Sequence, residues 1–202
     1  MERHPTHQKI LDEAIRIIET SGEAGLRVHD IEVAVDVTPP SIYHFFGSRD
    51  GLVSAAQAER VLRGFSQFGA VSEAILEKVT SRAELREAIR ELLTLVYEPS
   101  RAPARLQRIF AFGSAEGRPE LAAIMGDAAR AFLHENAERF KVFKENGWTR
   151  PDLDLEAFSQ WLEGQILGRI YIEIGCEPAP NPAWDAISIE AVTFVVFGSL
   201  SD

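Results

Sequence analysis

Apolar side chains recur along this chain at three- and four-residue intervals, the spacing of one face of an α-helix. Ile10, Leu11, Ala14, Ile15, Ile17 and Ile18 predict an amphipathic helix over residues 6–21, closed by Gly22 and Gly25. Val28, Ile31, Ala34 and Val35 mark a short second helix. A third opens at Thr38-Pro39-Pro40. Thr38 is a suitable N-cap there, and proline is favoured at the first helical position because its missing N–H would have no partner there. Pro40 disfavours the α region for Pro39, so this start should be slightly irregular. Gly47-Ser48 ends the third helix, and Ser48 caps a fourth that runs to about Gly69.

Further along, Ser81-Arg82-Ala83-Glu84 has capping-box form and predicts a helix to about Tyr97, ahead of Pro99. Pro103 begins one to about Gly113, and Pro119 a long one to about Asn146, with Gly147 as the stop. Asp152 or Asp154 caps a helix to Ile174 and Gly175. Glu177–Pro182, with three prolines, reads as a loop, and a last helix spans Ala183 to about Gly198. The Val-rich run Val192–Phe197 could be a strand by composition, but a lone strand cannot satisfy its backbone. The fold class is all-α.

One segment carries chemistry. Residues 28–45 place two short helices around the turn Val35-Asp36-Val37, the spacing of a helix-turn-helix whose second helix enters the DNA major groove. The run from Thr38 through Ser41-Ile42-Tyr43-His44-Phe45-Phe46-Gly47-Ser48-Arg49 to Leu52 resembles the recognition-helix signature of the TetR family of transcriptional repressors. Ile10–Ile18 and the Gly22–Leu26 turn lie at that family's distances upstream. Ile42 and Phe46, one turn apart, would anchor the recognition helix. Tyr43 would offer its hydroxyl to a phosphate. Ser48 and Arg49 stand at a helix N-terminus, where free N–H groups favour one. Thr38, Pro39, Ser41 and His44 would meet base edges or thymine methyls. Arg27 is counted with these DNA-binding residues. The turn departs from the family pattern: Val35-Asp36 stands where Ala-Gly is usual, and Asp36 adopts a left-handed conformation less readily than glycine. Glu32 replaces a common alanine.

The resemblance implies a helix-turn-helix domain over residues 4–64 (the motif itself at about 28–46) and a ligand-binding and dimerising bundle over 65–202. Bundle pockets are mostly apolar with a few polar fixtures. Phe110, Phe112, Phe132 and Trp161, with His134 and Gln165 as polar neighbours, are the candidate lining of a site for a small apolar effector. The helix beginning near Leu155 is apolar on more than one face, which predicts burial on more than one face. Gly164, Gly168 and Tyr171 on it, with Val192, Val195 and Val196 on the last helix, are the candidate interface of a homodimer.

Charge qualifies this picture. The chain carries 21 basic and 31 acidic residues, a net of -10. Its first 50 residues hold five Lys/Arg against nine Asp/Glu, a net of -4. Four of the five histidines (His4, His7, His29, His44) lie there and could add charge near a polyanion. Modest DNA affinity with strong salt sensitivity is expected. The same acidity supports an alternative, a TetR-like dimeric small-molecule or protein-binding module with little DNA affinity. No catalytic signature assembles, so an enzyme is not expected. The histidines have no metal-ligand spacing, and the one cysteine, Cys176, excludes a disulfide framework. No cofactor is expected. With no apolar run of about 18 residues and no secretory signal, the reading is cytoplasmic.

Overall fold

The computed structural model describes residues 4–177 and 179–199; the other seven, including the last three of the segment 65–202, lie outside the described residues. Every regular element described is helical. In chain order these are α1 (Pro5–Gly25), α2 (Val28–Val35), α3 (Pro39–Phe46), α4 (Arg49–Leu76), α5 (Arg82–Tyr97), α6 (Ala102–Ser114), α7 (Pro119–Glu145), α8 (Leu155–Gly168), α9 (Ile170–Glu173) and α10 (Pro182–Phe197), with a 3₁₀ turn at Pro99–Arg101. The chain packs as two units. The first holds residues up to Arg63 together with Phe110–Asp127; the second holds Gly64–Ile109 and the residues from Ala128 onward. The sequence reading divides the chain at 64/65, whereas the first unit of the structure also takes in Phe110–Asp127.

The first unit is organised around α1. Its apolar stripe meets Leu26, Ile31 of α2, Ile42 of α3, and Leu52, Val53 and Ala56 of α4, all of them buried. The periodicity of α1 therefore marks a core face, as the sequence suggested. The chain kinks at Gly22 (φ 67°) before α1 ends. Between α6 and α7, Arg118 reaches two other helices. Its Nη1 donates to Glu23 Oε2 at 3.1 Å, and its Nη2 lies 2.8 Å from Asp50 Oδ1. Gln57 Nε2 donates to the other oxygen of Glu23 at 2.7 Å. Burial alone would raise the Glu23 carboxyl, but donors from Ser114, Gln57 and Arg118 outweigh it and hold the carboxyl below its ordinary value.

In the second unit α10 packs on α5 and α8. Leu85, Ile89, Leu92, Leu93 and Val96 of α5 share a core with Phe140 and Phe143 of α7, Phe158 and Ile166 of α8, and Val192, Val196 and Phe197 of α10. Two helix ends differ from the sequence reading. α4 continues past Gly69 to Leu76. A single interior glycine costs only about 1 kcal/mol, and Leu76 recovers burial by joining this core. The expected helix to Ile174 divides at Arg169, where the turn tightens and Arg169 O accepts from Ile172 N at 3.1 Å. A buried ionic group lies at this break. Arg105 of α6 forms a two-pronged pair with Glu173, Arg169 Nε lies 3.1 Å from the same carboxylate, and Arg169 Nη1 pairs with Asp185 of α10. The Arg169 guanidinium also stacks over Trp184, 4.9 Å from the ring centroid.

Candidate functional site

The α2–α3 corner is a helix-turn-helix in three dimensions. α2 stops at Val35 because Asp36 takes the left-handed conformation (φ 53°, ψ 59°), and the Asp36 N–H closes onto Glu32 O. Asp36 is the only non-glycine residue described with positive φ. Its acceptance of a conformation that glycine normally fills is what permits the departure in the turn. Thr38 stands at the cap position with extended backbone but makes no capping bond; its hydroxyl lies 3.1 Å from Ser41 Oγ. Fixed φ at Pro39 starts α3 instead. Ser48 does cap α4, accepting from Gly51 N at 2.9 Å. Gly51 is required by close approach: a Cβ there would lie 2.1 Å from the Phe46 carbonyl oxygen. The sharp α3–α4 corner depends on that absence.

α3 is two-sided. Ile42 is fully buried, while Thr38, Pro39, Tyr43 and His44 are exposed and Ser41 is half-buried. Tyr43 is 46% exposed, a ring half packed and half free. Arg27 and Ser48 are also exposed. Arg49 is placed differently. Its guanidinium turns back to α1, with Nε donating to Leu26 O at 3.0 Å and Nη2 to Glu23 O at 2.5 Å. These bonds reach carbonyls at the end of α1, so Arg49 joins helices as well as standing at the start of α4. Three of the four histidines also lie against rings, His44 at 5.3 Å from Phe45 among them. The His7 ring stacks on Phe46 at 4.6 Å, and His4 caps α1 while lying 5.5 Å from Phe45.

The second unit contains a cavity of about 70 Å³, several times the roughly 10–15 Å³ needed for one water. Its wall is mainly Leu76, Ile89, Leu93, Phe140, Phe158 and Ile166, with polar groups from Asn136, Arg139 and Glu163. Glu163 lies 2.6 Å from Arg108 Nη1, yet burial pushes its carboxyl up by more than Arg108 pulls it down. None of the six residues expected to line a ligand site lines this cavity. Phe132 is buried against Phe65, rings stacked at 4.4 Å, which is core packing. Phe110 is 60% exposed, and Phe112, Trp161 and Gln165 are half-buried. His134 is on the surface, its Nδ1 2.6 Å from Glu156; that hydrogen bond raises the imidazole pKa. The cavity residues were visible in the pattern in one respect: Ser159 and Glu163 fall four apart on the apolar stripe of α8 that includes Ile166.

A third feature is an outward apolar face on α9 and α10. Tyr171 is 89% exposed, Ile187 68% and Phe194 54%. Val192 and Val196, expected at a dimer interface, are spent in the core of their own protomer, and Val195 packs partly against that core. α10 buries one side on α5, which leaves Ile187 and Phe194 on the other. Gly164 is exposed, Gly168 is half-buried, and a Cβ added at either would meet nothing within 4 Å. Among the described residues no helix is long and apolar enough to cross a membrane.

Comparison with known proteins follows the same division. Residues 10–56 match the family described as bacterial regulatory proteins, tetR family. Over 93 residues the chain is 29% identical to an uncharacterised HTH-type transcriptional regulator in the dhlA 5' region of Xanthobacter autotrophicus. That match spans about half of each protein, 46% of this chain and 46% of the relative. The structure is similar to that of a TetR-family transcriptional regulator from Cytophaga hutchinsonii, with a TM-score of 0.68, 19% identity and 100% coverage of both chains. It is similar also to GusR from Salmonella enterica, with a TM-score of 0.69, 18% identity and 97% coverage of both. At these identities the likeness to the solved structures is one of fold.

Proposed function

We propose that the chain is a member of the TetR family of bacterial regulatory proteins, whose family model its residues 10–56 match, and that it is a cytoplasmic, homodimeric transcription repressor released from its operator by a small, largely apolar effector. The observation that carries this reading is the two-sided α3: Ile42 buried beneath, Pro39, Tyr43 and His44 exposed above, and a left-handed Asp36 setting the angle between α2 and α3. Two such helices in a dimer must lie roughly 34–36 Å apart to enter successive major grooves. An effector that binds better to a splayed dimer shifts the population away from that spacing. Operator and effector then weaken each other by the same factor. Tyr171, Ile187 and Phe194, large apolar side chains left exposed on α9 and α10, support the dimer, since exposed apolar surface marks interaction sites. In this reading Gly164 and Gly168 permit close approach of the partner.

Within the DNA contact, Arg27 and the Tyr43 hydroxyl serve phosphates, while Thr38, Pro39, Ser41 and His44 face bases. Ser48 and Arg49 lie at the α4 start, where a phosphate is favoured, with Arg49 also holding the end of α1. The test is selection of sites from random duplex DNA followed by binding assays on variants. Arg27→Ala should weaken binding alike on all sequences and reduce the salt slope by about one, and His44→Ala should change sequence preference. Failure to select any duplex would overturn the reading. It would favour a dimeric binding module with little DNA affinity, the alternative suggested by the net charge of -4 over residues 1–50.

A further inference from the structure

The cavity of the second unit is lined by a cation, Arg139, whose own carboxylate partner stands at long range. Two ionisable residues line it, Glu163 and Arg139. Glu163 is matched by Arg108 at 2.6 Å. Arg139 is matched weakly: its carboxylate partner, Glu135, is 3.7 Å away and 63% exposed, a geometry in which water screens most of the attraction. Arg139 Nη1 donates to the neutral Asn136 amide oxygen at 2.8 Å, which leaves the amide nitrogen of Asn136 as a second donor. The guanidinium lies over Gly69, where a Cβ would come within 3.3 Å of Nη2, so bare backbone gives it room. The two lining serines add no donors. Ser72 spends its proton on Gly69 O at 2.9 Å and Ser159 on Leu133 O at 2.8 Å.

We propose that this cavity takes an amphipathic monocarboxylate, with its apolar body among Leu93, Phe140 and Phe158 and its carboxylate bound by Arg139 and the Asn136 amide nitrogen. A planar guanidinium presents parallel N–H groups that fit a carboxylate. One incompletely matched cation suits one negative charge, so polyanionic heads such as diphosphates are excluded. The volume of about 70 Å³ favours a short or compact apolar body. This proposal rests on the effector reading above only in treating the cavity as a ligand site.

The test is calorimetric titration of the full chain with hexanoate, 1-hexanol and hexylamine, which share an apolar body and differ in the head. Hexanoate should bind at least about tenfold tighter than the other two, the advantage expected of a charge-assisted hydrogen bond. Arg139→Gln should abolish the preference while leaving hexanol binding unchanged, and Arg139→Lys should keep most of it. Equal binding of the three probes, a preference for hexylamine, a preference that survives Arg139→Gln, or no binding at all would each overturn the proposal. If Arg139→Gln does not fold, the ranking on the unmodified chain and Arg139→Lys still decides. Gel shifts with the same probes separate the two readings. Hexanoate that binds without releasing DNA refutes the effector mechanism and leaves the site standing; release by hexylamine or hexanol alone refutes the site and leaves the mechanism.

Discussion

Replacing Arg118 by alanine should loosen the first unit measurably, because one side chain there bridges three helices. Arg118 reaches Glu23 at 3.1 Å and Asp50 at 2.8 Å, and Nη1 also donates to Ser114 O at 2.8 Å. The Asp50 arm is 61% exposed and should contribute no more than about 0.5 kcal/mol. The Glu23 arm is better shielded, with both side chains under a third exposed. A hydrogen bond between charged groups in that setting is worth about 1.5 kcal/mol, the low end of its range. The sum is about 2 kcal/mol, or a fall of about 4–8 °C in the midpoint of thermal unfolding for a chain of this length. Glu23→Gln alone should cost less than the double variant, and the double-mutant cycle should return a coupling of about 1 kcal/mol.

The same pair has a pH signature. The folded Glu23 carboxyl ionises below its ordinary value of 4.5, so its stabilisation is complete above that value and fades as pH falls through the folded value. Arg118→Ala raises the folded value toward the unfolded one, and the gap between wild type and variant should close on acidification. An unchanged midpoint at neutral pH, or a gap that persists unaltered below pH 4, would refute the assignment of Arg118 as a clamp. Scanning calorimetry across a pH series reads both quantities.

Three further outcomes are expected. Ile42→Ala, at a fully buried position on α3, should destabilise the first unit by about 2–5 kcal/mol in urea unfolding; a loss under about 1 kcal/mol would mean that α3 is not anchored there. Glu163→Gln should flatten the pH dependence of the second unit. The raised folded pKa of Glu163 makes stability fall as pH rises from its ordinary value of 4.5 through the folded value, and an unaltered slope would refute its burial cost. Ile187→Asp, on the outward side of α10, should shift sedimentation toward monomer without lowering helical content, and an unmoved distribution would take that face out of the interface.

How much of this was legible in the sequence varies with the physics of each element. α1 and α5 announce themselves because their stripes each face a single core. Caps at Ser81 and Asp154 were readable because a short polar side chain ahead of an apolar run has a local job: Glu84 N donates to Ser81 Oγ at 3.2 Å and Ala157 N to Asp154 Oδ1 at 3.0 Å. The helix-turn-helix was legible for the same local reason, and its left-handed residue could be placed at Asp36. What could not be read was long-range. Nothing near Arg49 in sequence says that its guanidinium turns to the carbonyls of residues 23 and 26. Nothing near Phe110 says that residues 110–127 rejoin the first unit. The cavity is not legible because aromatic content marks packing as strongly as emptiness: Phe132 fills space against Phe65, whereas the wall mixes leucine, isoleucine, valine and phenylalanine with a few polar side chains. Glu163 on the apolar stripe of α8 was the better guide.

The ionic group that joins α6, α9 and α10 has a bearing on how this protein can change over time. Arg105, Arg169 and Glu173 are nearly inaccessible to water, and with Asp185 they balance to zero net charge. Removing one member strands the others and costs about 3–5 kcal/mol, a large share of a domain's stability, whereas exchanging such a set together for apolar side chains of similar volume is often neutral or better. A lineage that alters one codon at a time cannot reach the second arrangement without crossing the first penalty. Positions 105, 169, 173 and 185 are therefore tied into one heritable block, each fixed by its neighbours' identities more than by its own. Among descendants of a common ancestor these four should be kept together or lost together, and frequent single replacements in stable relatives would show that the tie is absent.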